Sequence, residues 1–135
     1  MNNSIVLDRD TVLDMAIGAR SRHKSGIELL DAIEMESIRA CVCSSDLPAI
    51  YDEVHDFMAS DAKLYLEALL EAFDVLDVDE AVCKQALSFL EDDLSTAILQ
   101  VCAEKIGAAY IITNTPAAYK KCQVKAIEAA KFLQL

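Results

Sequence analysis

What most limits the fold open to this sequence is a repeated pairing: a short apolar run, then a longer stretch of helical period. Ser4-Ile5-Val6-Leu7 is the first such run, and Ile38 to Cys43, Val75-Leu76-Asp77-Val78, Ala109-Tyr110-Ile111-Ile112 and Val124 to Ile127 follow. A strand with one wet face alternates apolar and polar residues, whereas a short continuous apolar run suits a strand covered on both sides. Between these runs apolar residues recur every three or four positions, as one buried helix face requires. From Lys24 to Met35 the recurring residues are Ile27, Leu30 and Ile33, with Leu29 alongside.

Helix boundaries are marked locally. A short helix over Thr11 to Ile17 meets a stop at Gly18. Pro48 suits the first turn of a helix reaching Met58, with Asp46 nearby as its cap. Asp61 to Phe73 forms the next helix, and Asp79 caps one reaching Leu90. The clearest helix starts after Asp92-Asp93, carries the stripe Leu94, Ala97, Ile98, Val101 and Cys102, and ends at Gly107. A last short helix runs through Phe132. Strands alternating with helices predict an α/β fold of three layers, α/β/α, around a central, mainly parallel sheet of four to five strands. The chain has 135 residues, three glycines, two prolines and no linker, so a single domain spanning residues 1–135 is expected.

The net charge of -11 disfavours long-range attraction to a phosphate backbone, though not a local basic patch. No apolar run reaches the roughly 20 residues that span a bilayer. Met1-Asn2-Asn3-Ser4 lacks the basic flank and apolar segment of a signal peptide, so a cytoplasmic protein without membrane attachment is expected. The five cysteines at 41, 43, 83, 102 and 122 are an odd set without zinc-site partners, which predicts small buried thiols in a reducing compartment.

In a parallel sheet, ligands bind beyond the carboxyl ends of the strands. Those ends carry Asp8, Ser44-Ser45-Asp46 and Thr113-Asn114, so this rim is where function is sought. Ile5-Val6-Leu7-Asp8 followed by Val12-Leu13-Asp14, the segment Cys43 to Ile50, Asp93-Leu94-Ser95-Thr96-Ala97, and Ala103 to Thr113 together resemble a PIN domain of the VapC-like, toxin-type ribonuclease kind. The resemblance runs over nearly the whole chain and rests on order, spacing and length. It implies a site of about four carboxylates holding Mg²⁺ or Mn²⁺, because hard cations take oxygen ligands and two-metal hydrolysis needs dense negative charge.

Matched position by position, Asp8 retains the first carboxylate of the resembled family. The second falls on Ala49, the third on Thr96 and the fourth on Ala118. The family's Asn after the first Asp is Asp10 here, and its basic residue near the last long strand is Asn114. The resemblance therefore implies a degenerate site, with Asp8 and Asp93 as vestigial catalytic residues. Asp8, Asp93 and Asp92 are its candidate metal ligands, and Asp46 and Asp52 are possible substitutes. For Asp92 and Asp93 helix capping is the competing role; for Asp8 it is a rim or cap role. No cofactor is expected unless activity survives, and then Mg²⁺ or Mn²⁺.

Arg20-Ser21-Arg22-His23-Lys24 is the one dense basic cluster, making Arg20, Arg22, His23 and Lys24 the candidate nucleic-acid contacts against a solvated-loop reading. Neither histidine has a nucleophile at a recognisable spacing, and there is no glycine-rich phosphate loop. The helix over Asp61 to Phe73 carries Leu64, Tyr65, Leu66, Leu69, Leu70 and Phe73, more than one core stripe needs, so it either faces a second subunit or is buried on two sides. The expected function is a binding or regulatory module on a PIN-like scaffold, with RNA or a small antitoxin-like protein as partner and a homodimer as the assembly. The alternatives are an active metal-dependent single-stranded RNA endonuclease using Asp8, Asp93 and displaced carboxylates, and a purely structural homodimer.

Overall fold

A computed structural model describes residues 3–135; Met1 and Asn2, half of the segment read for a leader, lie outside the described residues. In chain order the elements are β1 (Ser4–Leu7), α1 (Arg9–Ala16), α2 (His23–Met35), β2 (Arg39–Cys43), a 3-10 turn (Ser44–Asp46), α3 (Leu47–Phe57), α4 (Ala62–Ala72) and β3 (Asp74–Leu76). There follow α5 (Glu80–Ser88), α6 (Leu94–Ile106), β4 (Tyr110–Ile112), a second 3-10 turn (Pro116–Tyr119), β5 (Ala126–Ile127) and α7 (Ala129–Phe132). Among the described residues the five strands form one sheet in the order β3-β2-β1-β4-β5, and every pairing is parallel.

The strands β1, β2, β4 and β5 split their side chains between two cores, while the edge strand β3 gives only Leu76 to one of them. Ile5, Leu7, Ala40, Val42 and Ile112 point into a core shared with Leu13, Leu29, Ile33, Ile50 and Leu69, from α1 to α4. Val6, Cys41, Cys43 and Ile111 point the other way, onto Val82 and Ala86 of α5 and Ala97, Ile98, Leu99 and Cys102 of α6. Burial on both faces is the reason the strands read as continuous apolar runs. The result is the expected three-layer α/β/α arrangement.

The chain order places the site. After β3 the chain returns past β2 to the far side of β1 and adds β4 there, so β1 and β4 are adjacent although α1 to α6 lie between them in sequence. Adjacent strands whose connections run in opposite directions leave a crevice at their carboxyl ends. That crevice lies beyond Leu7 and Ile112, which are register partners.

Several boundaries differ from the expected ones for identifiable reasons. The first helix starts at Arg9, not Thr11, because Asp8 caps it: its Oδ1 accepts from the Thr11 N–H at 2.9 Å. The helix ends at Ala16 and Gly18 lies in the turn beyond it. Asp46 is not a side-chain cap for α3, because the turn before α3 already has helical dihedrals (φ -87°, ψ -16°), whereas a cap needs extended backbone. Asp79 and Gly107 act as expected, the former accepting from the Val82 N–H at 3.0 Å and the latter left-handed at φ 62°. Pro116–Tyr119 adds a turn the periodicity does not announce. Cys41, Cys43 and Cys102 are buried, Cys83 and Cys122 half-buried, and all five are free. The bond to Cys102 and burial hold the Cys43 thiol up, so it stays protonated.

Candidate functional site

Beyond β1 and β4 a small cavity of about 80 Å³ is lined by Asp8, Arg9, Asp10, Asp46, Asp93, Ser95, Thr96, Leu99, Thr115 and Tyr119. Four distant segments converge there: the end of β1, the turn before α3, the start of α6 and the turn after β4. Asp8, Asp46 and Asp93 are thereby brought together. Asp92 is not, since Asp93 holds the cap position; Asp92 lines a wider groove of about 320 Å³ with Phe89, Glu91, Gln100, Ala118, Lys120 and Lys121. Asp93 and Thr96 border both spaces, so the groove and the cavity adjoin at the start of α6. Asp52 lies exposed on α3, outside the cavity.

The three carboxylates differ in how they are held. Asp8 accepts from Thr11 through Oδ1 and from the Thr113 hydroxyl through Oδ2 at 2.6 Å. Burial pushes its carboxyl above the usual value, while the Thr113 and Thr11 bonds oppose the shift. Asp93 caps α6: Oδ1 accepts from the Ser95 N–H at 3.1 Å and Oδ2 from the Thr96 hydroxyl at 2.9 Å. Asp46 is only 7% exposed, yet its carboxylate has no hydrogen-bond partner among the described residues. No fully buried side-chain polar atom there lacks a partner, so the Asp46 oxygens open on the cavity. Burial, opposed by Arg9 and reinforced by Asp8, Asp93 and Asp10, pushes its carboxyl up to about 6. Tyr119, buried beside Thr96, is pushed up by burial and by the Asp8 charge.

This gives a stability prediction with a definite sign. An acid whose folded pKa lies above its unfolded one weakens the fold above the unfolded pKa, and fully so above the folded one. The Asp46 penalty is therefore absent below 3.8, grows toward about 6 and is complete above it. In EDTA, Asp46→Asn is expected to stabilise the protein by roughly 1–2 kcal/mol at neutral pH, a figure reduced for the water that reaches the cavity. Thermal melts across that range should show the advantage of the variant vanish at the acid end. An advantage independent of pH would contradict this cause.

The basic cluster is largely committed to internal bonds. Arg20 pairs with Asp14 at 2.8 Å, Asp10 at 3.3 Å and Glu53 at 3.6 Å. Arg22 pairs with Glu128 at 3.0 Å, and His23 Nδ1 lies 2.8 Å from the Asp14 carbonyl oxygen. Lys24 is exposed, without an ion pair among the described residues. Asp14 is the hub sequence reasoning missed: buried, it also accepts from Asn114 Nδ2 at 2.9 Å and so ties α1 to the β4 rim. Its place in a helix with Arg20 six residues on was the available signal. Among the rim residues, Ser44 accepts from the Val78 N–H at 3.1 Å, and Thr113 holds Asp8 and accepts from the Thr115 N–H at 3.0 Å. These are positioning roles.

The acidic cavity can be tested against the metals the resemblance implies. Ala49, Thr96 and Ala118 offer no carboxylate, and among the described residues no three acidic, His or Cys side chains converge closely enough to enclose an ion. Two-metal phosphoryl chemistry needs ions about 3.5–4 Å apart, bridged by such groups. The residues do not fit a two-metal centre. They fit at most one hydrated Mg²⁺ or Mn²⁺, since Mg²⁺ keeps several waters and uses one or two carboxylates.

Neither a family model nor a curated protein sequence matches the chain. Solved structures do. The chain is similar to the Mycobacterium tuberculosis VapC20, a Sarcin-Ricin loop cleaving toxin, with TM-score 0.67 and 13% identity over 79% of this chain and 86% of that one. It is similar to FitAcB from Neisseria gonorrhoeae, with TM-score 0.69 and 12% identity over 93% and 98% of the two chains. VapBC2 from Rickettsia felis, bound to a promoter DNA fragment, gives TM-score 0.66 and 12% identity over the same shares. Identity this low speaks for backbone architecture alone, and on that ground the chain has the fold of VapC-like PIN-domain proteins.

Proposed function

We propose that this chain is a single PIN-like module in which efficient nuclease chemistry has been lost and which works by holding a partner. The observation that carries this is the replacement of three expected carboxylates by Ala49, Thr96 and Ala118, while both Asp8 oxygens and both Asp93 oxygens serve as hydrogen-bond acceptors within the fold. The alanine methyls supply no oxygen to a metal and the Thr96 hydroxyl no charge, and Asp8, Asp46 and Asp93, though they line one cavity, do not converge closely enough to enclose an ion, let alone two.

A partner surface is supported by exposed apolar side chains. Phe57 ends α3 at 63% exposure, and Leu64 on α4 is 70% exposed. Of the eleven residues of α4 Ala62 and Leu69 are buried and Tyr65 and Leu66 pack half-buried against the core, which leaves Leu64 and Leu70 exposed on its outer face. The partner is a small antitoxin-like protein, a second copy of the chain, or both. The similarity in fold to VapC20, a toxin, supports the first. RNA remains a weaker partner: of the four basic candidates, Arg20, Arg22 and His23 are engaged internally and Lys24 alone is not.

One observation favours a second reading, a slow metal-dependent endoribonuclease: Asp46 and Asp93 face the same cavity as Asp8. Incubating mixed-sequence single-stranded RNA with the protein in Mn²⁺, in Mg²⁺ and in EDTA separates the readings. The proposed function predicts no cleavage above the EDTA control. Metal-dependent cleavage that Asp8→Asn abolishes would replace it with the second reading.

A further inference from the structure

We propose that the corner between α3 and α4 is a docking surface for a basic amphipathic helix of a different protein, and that a second copy of this chain does not seat there. This rests on the reading of the chain as a partner-holding module and names the chemistry of the partner.

The corner has an apolar centre. Phe57 ends α3 and Leu64 lies in the first turn of α4, and the short connection between them is closed by the Asp61 N–H, which donates to the Met58 carbonyl at 2.9 Å. Tyr51 on α3 and Leu70 on α4 are exposed as well. Ile50 and Val54 of α3 and Ala62 and Leu69 of α4 are buried, so both helices are anchored from within while these four side chains stand in water. Large apolar side chains gathered on a surface mark a contact site, because a partner's apolar stripe removes them from water.

Charge decides the occupant. From Tyr51 to Glu71 the chain carries Asp52, Glu53, Asp56, Asp61, Glu67 and Glu71 against one cation, Lys63. Glu53 is paired with Arg20; the other five acids have no ion pair among the described residues. A two-fold dimer through this corner sets the patch against itself, so the same acids face one another and repel. A head-to-tail copy could offer Lys105, Lys120, Lys121 and Lys125, yet among the described residues no large apolar side chain between Leu94 and Leu135 is exposed. Such a copy brings charge without an apolar stripe. A helix with apolar residues at i, i+3, i+4 and i+7 and Lys or Arg beside them brings both. The acids that attract it repel a phosphate backbone.

Fluorescence anisotropy with three labelled synthetic helices tests this: one of Leu and Lys at amphipathic spacing, one with Glu in place of Lys, and one with Ser in place of Leu. The Leu/Lys helix is expected to bind the full chain saturably, one per chain, and more weakly as salt rises, while the other two do not saturate. Phe57→Ser with Leu64→Ser keeps the net charge and is expected to weaken binding at least tenfold, which separates seating at this corner from general attraction to an acidic protein. Glu67→Lys with Glu71→Lys is expected to weaken it as much. Leu87→Ser, exposed on α5 against the other face of the sheet, is the control expected to bind as the wild type does. No saturable binding of the Leu/Lys helix, equal binding of the Glu helix, undiminished binding in the folded Phe57/Leu64 double variant, or a wild-type dimer in sedimentation that this variant dissociates would each overturn the inference. A chain that dimerises through the corner still holds a partner, so it loses this surface and keeps the proposed function. A chain that binds the helix and cleaves RNA keeps the surface and loses the inactive reading.

Discussion

Gly26→Ala is expected to destabilise this protein by about 2–3 kcal/mol, although the same change in a helix interior ordinarily stabilises by roughly 0.5–1 kcal/mol. Gly26 lies in α2 where the helix crosses α1. A Cβ there would sit 2.7 Å from the Asp14 carbonyl carbon, 2.8 Å from its oxygen and 2.8 Å from the Met15 nitrogen. All three are backbone atoms, so no side chain can swing aside and the two helices must separate. Steric overlap therefore outweighs the propensity gain. The displaced residue is Asp14, which holds Arg20, Asn114 and, through its carbonyl, His23, so the rim beside β4 loosens too. Urea denaturation should show a lower midpoint at an unchanged slope. A midpoint equal to the wild type or above it would show that α1 and α2 are not packed this closely.

Ala49→Glu, Thr96→Asp and Ala118→Asp together are expected to tighten Mn²⁺ binding at least tenfold and to add a second bound ion. Thr96 borders the cavity and the groove, and Ala118 lines the groove, so two of the new carboxylates enter adjoining spaces. Thr96→Asp also removes the hydroxyl that occupies Asp93 Oδ2, freeing that oxygen. The formal net charge moves from -11 to -14, as three acids are added. Without metal their mutual repulsion should lower the melting temperature, and Mn²⁺ should restore it. A folded triple variant with no gain in affinity would show that these positions do not form the metal centre.

The sheet was legible because its chemistry is local. Continuous apolar runs such as Ile5-Val6-Leu7 reflect burial on both faces, and Asp79 and Gly107 mark helix ends by conformational preferences each residue carries alone. The rim was legible to the extent that strand ends name it: Asp8, Ser44, Asp46, Thr113 and Asn114 all lie near it. What the rim residues do was not legible, because it depends on residues brought close only by folding. Thr113 reaches Asp8 across 105 positions and Asn114 reaches Asp14 across 100. Asp46 looked like a cap, and only the helical backbone of the preceding turn shows that its carboxylate is left for the cavity. Asp46 and Asp93 each stand three residues before a vacated position, Ala49 and Thr96, so one helical turn carries both toward the same space. The basic cluster misled for a similar reason: a run of cations in sequence does not show that Asp14 and Glu128 neutralise it in space.

Anomalous diffraction from crystals of the wild-type protein soaked in Mn²⁺ tests the central claim, loss of the two-metal centre, most directly. The account predicts at most one manganese peak in the cavity beyond β1 and β4. Two peaks about 3.5–4 Å apart, sharing carboxylate oxygens, would contradict it and restore the chain to the metal-dependent nucleases.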